Sequence, residues 1–193
     1  MTKLVIFCEV FLALLVYSEA CLCPSQHPQT KFCNSEFVVQ AKVFRRQTFN
    51  REGNVIYTVK ILKDFKNDNR QYSKTQKINT SASSCGSDFE LNEEYIISGT
   101  INGQKWKTSK CSWNTKTSFL TKYQNTALNH GIYKNSCSCK IIECSFSGIP
   151  CSQETKGACV IRSGSDVKCW YQKNSCSLTT IGCGWSSPVC PRP

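Results

Sequence analysis

Cysteine is the residue type whose number and spacing most constrain the chemistry open to this chain. The 193 residues include 15 cysteines, with Cys21-x-Cys23 and Cys137-x-Cys139 as the closest pairs. Their sulfurs could ligate a metal or close as cystines. Zinc-finger ligands usually sit two to four residues apart, and only His27 and His130 are available to complete such a site. The one-residue spacing therefore argues for cystines. Enzymatic chemistry finds no foothold. There is no His-Glu-x-x-His, no nucleophile elbow and no phosphate-binding glycine loop, so the chain reads as a non-enzyme with no cofactor of its own. Both histidines read as structural, because neither has metal-ligand spacing.

The position of Cys21 gives it a second kind of chemistry. Lys3 supplies a positive start, and Leu4 to Val16 is an apolar run interrupted only by Glu9 and too short to span a bilayer comfortably. Ser18-Glu19-Ala20 puts small residues three before and one before Cys21, the pattern read by signal peptidase. Residues 1–20 are thus expected to be a signal peptide, with Cys21 the first residue of a secreted, extracellular protein. A lipoprotein signal would also place a cysteine there, but Ser18-Glu19 matches it poorly and the many later cysteines do not suit it. Cleavage removes Cys8 and leaves an even 14 cysteines, about 8 per cent of the mature chain. That composition implies a disulfide framework formed in an oxidising compartment. No later stretch is long and apolar enough for a membrane helix, and a monomer is expected.

Losing Lys3, Glu9 and Glu19 raises the formal charge from +11 to +12. Ten Lys or Arg fall in residues 42–77, against Glu52, Asp64 and Asp68. Such a stretch is either an ordinary solvated basic face or a surface attracted to sulfated matrix polysaccharide. Nucleic acid is a poor partner for a secreted chain.

The elements that must hold Cys21 are mainly strands. Phe37, Val39, Ala41 and Val43 alternate with the residues between them, and Val55, Tyr57, Val59 and Ile61 do so after the turn at Glu52-Gly53-Asn54. Tyr95 to Thr100 is a third apolar run, and Asn102-Gly103 signals a hairpin into Lys105 to Cys111. Thr117 to Leu128 is expected to be an amphipathic helix with Phe119, Tyr123 and Ala127 in the core. Short antiparallel strands with a helix suggest a small closed barrel, of which the OB-fold is one kind. A break after Cys137 divides the mature cysteines into six and eight, so each part can close its own bridges. Residues 21–137 are long enough for a core. Residues 138–193 are too few and need bridges as staples. Asn79-Thr80-Ser81 is an N-glycosylation sequon.

The ordered motifs of the mature chain resemble one family closely. Cys21-Leu22-Cys23-Pro24-Ser25-Gln26-His27-Pro28-Gln29 is followed by Phe32-Cys33-Asn34-Ser35 and Val38-Val39-Gln40-Ala41-Lys42. Ser83-Ser84-Cys85-Gly86, Glu94 to Gly99, Leu128-Asn129-His130, Cys139-Lys140-Ile141, Ile149-Pro150-Cys151 and Cys183-Gly184-Trp185 continue the match. This series resembles the tissue inhibitors of metalloproteinases over nearly the whole mature chain. The resemblance implies an OB-fold, netrin-like inhibitory domain at 21–137, a five-stranded Greek-key barrel with flanking helices. A small disulfide-rich domain at 138–193 would follow. It implies the pairings Cys21–Cys85, Cys23–Cys111, Cys33–Cys137, Cys139–Cys183, Cys144–Cys151 and Cys159–Cys176. Cys169 and Cys190 are then left over and are expected to pair with each other.

The resemblance also implies partners and a mechanism. The partners would be secreted or membrane-bound zinc metalloproteinases. The freed amine and carbonyl of Cys21 would bind the protease's catalytic zinc, and Leu22, Cys23, Pro24, Ser25, Ser83, Ser84 and Cys85 would form the contacting ridge. Leu22 departs from the family's usual Thr or Ser at the residue that enters the primary specificity pocket. Ser84 stands where the family often has an apolar side chain. A netrin-like module that binds matrix polysaccharide or a receptor through its basic face is the alternative.

Overall fold

The computed structural model describes residues 21–49, 53–67, 73–144, 157–162, 166–187 and 190. Residues 1–20, residues 50–52 and 68–72 of the basic stretch, and Cys151 lie outside them. Strands β1 (Phe37–Phe49), β2 (Asn54–Asp64), β3 (Thr75–Ser81), β4 (Glu94–Asn102) and β5 (Lys105–Lys107) form a ring. The order is β1-β2-β3-β5-β4, and β4 pairs back onto β1, with Phe37 opposite Gly99 and Lys42 opposite Glu94. That closure is the five-stranded Greek-key barrel of an OB-fold. A short β6 (Thr115–Lys116) adds to β4 at Tyr95 and Ile96. β1 can serve two neighbours because it bends. Its register to β2 shifts between Gln40 and Ala41 and again between Val43 and Arg45, and such bulges increase strand twist.

Alternation in β1 splits the apolar residues between two cores. Phe37, Val39, Ala41 and Val43 point into the barrel with Val55, Tyr57, Val59, Ile78, Ile97 and Trp106. Phe37 stacks on Trp106 with ring centroids 4.2 Å apart. Val38 and Ile96 face outward, onto Phe32, Trp113, Ala127, Leu128 and Tyr133. Trp113 comes from the loop between β5 and β6, and the others come from the helices that cover this face: α1 (Pro28–Cys33), α2 (Lys122–Asn129) and α3 (Ile132–Asn135). Each fully buried large apolar side chain contributes about 1.5–3 kcal/mol. Gly103 closes the β4–β5 hairpin at φ +60°, where a residue with a Cβ would be strained.

The expected helix over Thr117–Leu128 is shorter, and one of its core assignments is wrong. Thr117–Phe119 is a 3-10 turn and the α-helix begins at Lys122. Thr121 accepts a hydrogen bond from the Gln124 N–H while Gln124 reaches back to the Thr121 N–H, a capping box that fixes the helix start. Phe119 therefore precedes the helix and is 74% exposed, so it is not a core residue. Tyr123 is only partly buried, and its hydroxyl meets Ser175 and Ser186.

After Cys137 the chain forms smaller elements. β7 (Lys140–Glu143) pairs in parallel with β8 (Ala158–Ile161), α4 (Val167–Lys173) follows, and β9 (Cys176–Thr179) pairs with β10 (Gly182–Trp185). Their cores are small clusters around Cys169–Cys190 and around Cys139, Cys159 and Cys176, where cystines take the place of apolar bulk. The cystines with both sulfurs described are Cys21–Cys85, Cys23–Cys111, Cys33–Cys137, Cys139–Cys183, Cys159–Cys176 and Cys169–Cys190. Cys144 is also disulfide-bonded. Cys33–Cys137 closes a separation of 104 residues. In the chain-entropy picture a loop of ~100 residues is worth about 4.7 kcal/mol. No helix among the described residues is long and apolar enough to cross a membrane.

Candidate functional site

Two cystines fix residues 21–23. Cys21 is joined to Cys85 with their Cα atoms 4.9 Å apart, and Cys23 to Cys111 at 5.0 Å. The bridges lie side by side, since the Cys21 sulfur is 4.0 Å from that of Cys23 and 3.9 Å from that of Cys111. Leu22, held between the two anchors, is 90% exposed. An isolated leucine would not be presented this way by a core; the bridges hold it out. Pro24 and Ser25 continue the exposed segment.

The Cys85 loop is built to lie against this segment. The Ser81 hydroxyl accepts from the Ser83 N–H at 3.0 Å and donates to the Ser83 hydroxyl at 2.8 Å. Gly86 N–H donates to the Ser83 carbonyl, and Lys110 N–H donates to the Cys85 carbonyl, each at 2.9 Å. A Cβ on Gly86 would lie 1.8 Å from the Ser81 carbonyl oxygen, so the turn tolerates only glycine without moving. Asn114 supports the base of the loop by donating to the Ser87 hydroxyl at 2.7 Å and to the Ser109 carbonyl at 2.9 Å. Cys21, Leu22, Cys23, Pro24, Ser25, Ser83, Ser84 and Cys85 thus come together from two segments through the Cys21–Cys85 bridge, with Ser83 and Ser84 exposed.

Two sulfur groups approach metal-site geometry, Cys21 with Cys23 and Cys111, and Cys139 with Cys176 and Cys183. All six cysteines are in cystines and offer no thiolate, so neither group is a zinc site.

Behind the ridge, the chain turns inward at His27. The imidazole is fully buried, lies 5.5 Å from the Tyr171 ring and 5.9 Å from the Trp185 ring, and accepts the Gln29 N–H at Nδ1. Its Nε2 is 3.0 Å from the Trp170 carbonyl. Gln29, also buried, donates to the carbonyls of Ser136 and Cys176 and accepts the Cys176 N–H. The His27 N–H donates to a Glu143 carboxylate oxygen at 2.7 Å, and the other oxygen of Glu143 accepts the Tyr171 hydroxyl. His27 and Gln29 therefore lock the segment that follows Cys23 to Ser136 and to residues beyond Cys137. Their types do not reveal this; the partners are more than a hundred residues away, and Glu143, Trp170 and Tyr171 carry no local signal. His130, by contrast, is exposed at the C-terminal end of α2.

Burial pushes the His27 pKa down to about 4, against backbone carbonyls of Trp170 and Asn174 that favour the charged form. The ordinary value is 6.5. Because the folded value is the lower one, the unfolded chain takes up the proton first. The contribution of His27 is complete above pH ~6.5 and is lost as pH falls towards 4, up to about 3 kcal/mol. Thermal melts across this window should show the loss, and the difference from His27→Gln should isolate it; parallel profiles would contradict the assignment.

Asn79 lies within β3, paired to β2 and β5, and its side-chain N–H donates to the Trp106 carbonyl at 3.1 Å. Of the basic stretch, Lys42 and Lys60 are exposed directly opposite one another on β1 and β2. Arg51, Glu52, Asp68 and Arg70 lie outside the described residues.

Comparison with known proteins identifies the scaffold. The family model described as tissue inhibitor of metalloproteinase matches residues 19–185. Metalloproteinase inhibitor 3 of Gallus gallus is 36% identical over 150 residues, covering 74% of this chain and 68% of the relative. Its Xenopus laevis counterpart is 35% identical over 148 residues, covering 74% and 67%. Metalloproteinase inhibitor 2 of Homo sapiens is 31% identical over 161 residues, covering 76% and 70%. A closed OB barrel, an exposed residue pinned between two cystines and a match spanning both halves lead to one conclusion: the chain belongs to the tissue inhibitor of metalloproteinase family.

Proposed function

We propose that the protein is secreted, is cut between Ala20 and Cys21, and inhibits zinc metalloproteinases by occupying the open position of their catalytic zinc. The ligands are the α-amino nitrogen and the carbonyl oxygen of mature Cys21, which together close a five-membered ring on the metal. The observation that carries this reading is the double anchoring of Cys21 and Cys23 beside the Cys85 loop. A loose terminus would lose conformational freedom on binding, whereas a terminus already held by two cystines loses little.

The chemistry needs no group of unusual acidity. A free α-amine has a pKa of about 7.7–8.0, so its neutral donor form is accessible near pH 7. A catalytic zinc carries three protein ligands and a water whose proton it makes labile. Once nitrogen and oxygen from Cys21 sit on the metal, that water has no place and the attacking group is gone. The thiol of Cys21 takes no part, because it is bridged to Cys85. Residues 21–137 act as the inhibitory domain and residues 138–193 as a small second domain. The amino-terminal sequence of the secreted protein, followed by titration against a metalloproteinase catalytic domain, tests the whole reading. It requires Cys21 as first residue and stoichiometric inhibition; a mature protein starting elsewhere that inhibits equally well would defeat it.

Leu22 follows the metal ligands and enters the primary specificity pocket. Its 90% exposure leaves nearly all of its apolar surface free for a protease to cover. Full burial of a leucine is worth about 1.5–3 kcal/mol. Leu22→Gly should therefore weaken inhibition at least several-fold, most for proteases with deep apolar pockets. Unchanged inhibition constants across a protease panel would remove Leu22 from the interface.

A further inference from the structure

We propose that Glu143 and Tyr171 are positioning residues for the inhibitory segment: a brace from the far half of the chain that holds residues 24–27 in the conformation the ridge requires. The proposal rests on the reading of residues 21–25 as inhibitory. Cystines fix Cys21 and Cys23, and burial fixes His27. Between these anchors, Pro24, Ser25 and Gln26 belong to no helix or strand. Among the described residues, one hydrogen bond restrains them, from Ser25 Oγ to the Tyr171 hydroxyl at 3.1 Å.

The geometry orients that bond. Tyr171 donates its proton to Glu143, so the Tyr171 oxygen is the acceptor for Ser25. Partial burial and the Glu143 carboxylate both push the Tyr171 pKa up, which keeps the hydroxyl a donor at physiological pH. The same carboxylate receives the His27 N–H at 2.7 Å, so one group holds the segment directly at His27 and, through Tyr171, at Ser25. The half-buried Lys31 ammonium also feels this negative charge. Tyr171 is not itself loose. Its carbonyl accepts from Gln124 at 3.0 Å and the neighbouring Gln172 carbonyl accepts from Thr121 at 2.6 Å, which tie α4 to the start of α2. The brace thus runs from the barrel's covering helix, through α4, to Ser25. Without it the segment between Cys23 and His27 would sample more conformations, and ordering them would oppose binding.

Tyr171→Phe deletes the hydroxyl and keeps the ring against His27. A lost hydrogen bond of ordinary strength should raise the inhibition constant about three- to tenfold. Ser25→Ala should do the same, and the two should be non-additive, with Ser25→Ala costing much less in the Tyr171→Phe background. A purely structural role for Tyr171 would lower melting temperature without that coupling. Amide exchange of Leu22, Cys23, Ser25 and Gln26 in the free protein gives a second measure, and Ser25→Ala alone should speed it; this holds even if Tyr171→Phe does not fold. An unaltered inhibition constant in Tyr171→Phe, additive losses, or unaltered exchange in Ser25→Ala would each overturn the brace. If wild-type protein fails to inhibit at all, the inhibitory reading of the segment falls; if it inhibits and Tyr171→Phe matches it, only the brace falls.

Discussion

A protein carrying one extra alanine before Cys21 is expected to fold normally and to lose inhibition by at least about a hundredfold, the scale of a central hot-spot residue. The reason is geometric. The extension converts the Cys21 amine into an amide, whose nitrogen lone pair is delocalised and binds zinc poorly. It also places a residue where the metal must sit. Among the described residues, Cys21 is secured through its sulfur to Cys85 and Cys23 through its sulfur to Cys111, and neither bridge involves the extended position. Thermal stability should be unchanged while the inhibition constant rises. A binding module acting through its basic face would be indifferent to the added residue, so the same variant separates inhibition through Cys21 from binding through the basic face.

Gly86→Ala is expected to have the largest effect on the scaffold of any single methyl addition at the site. The new Cβ would lie 1.8 Å from a backbone oxygen of Ser81, and no side-chain rotation relieves it. The loop must open, which strains the Gly86–Ser83 hydrogen bond and shifts Cys85 relative to Cys21. Backbone displacement of this kind costs about 2–4 kcal/mol. For a chain of this size that corresponds to a melting temperature lower by roughly 5–15 °C. Inhibition should weaken as well, because the ridge is assembled from both sides of that bridge. A variant with wild-type melting temperature and inhibition constant would mean that the loop is not held as tightly as its hydrogen bonds indicate.

Much of the barrel can be read from the chain because its strands alternate. Phe37 to Val43 and Val55 to Ile61 place every second residue inside, and Asn102-Gly103 marks its own turn. β3 cannot be read in that way. Thr75 to Ser81 has a single large apolar residue, Ile78, and is a strand because β2 and β5 flank it on both sides. The start of α2 is set by a capping box at Thr121, a local signal that competes with the apolar spacing of Phe119 and Tyr123, which points to an earlier start. The ridge residues could be named because their motifs resemble a known family's, and that resemblance is what implied the pairing of Cys21 with Cys85, 64 residues away. The joint at His27, Gln29, Glu143 and Tyr171 could not, because each member is an ordinary polar residue whose partner is set by tertiary packing alone.

In the proposed mechanism disulfide chemistry and metal chemistry meet at one residue, Cys21, and divide between its atoms. The sulfur belongs to the scaffold. The nitrogen is in peptide linkage to Ala20 in the full chain and becomes a donor only when that bond is cut. The most direct test is a crystal structure of the mature protein bound to a metalloproteinase catalytic domain. The expected result is the Cys21 nitrogen at about 2.0–2.2 Å from the zinc, its carbonyl oxygen completing the chelate, and no water on the metal. A zinc that retains its water, with the Cys21 nitrogen beyond bonding distance, would contradict the mechanism.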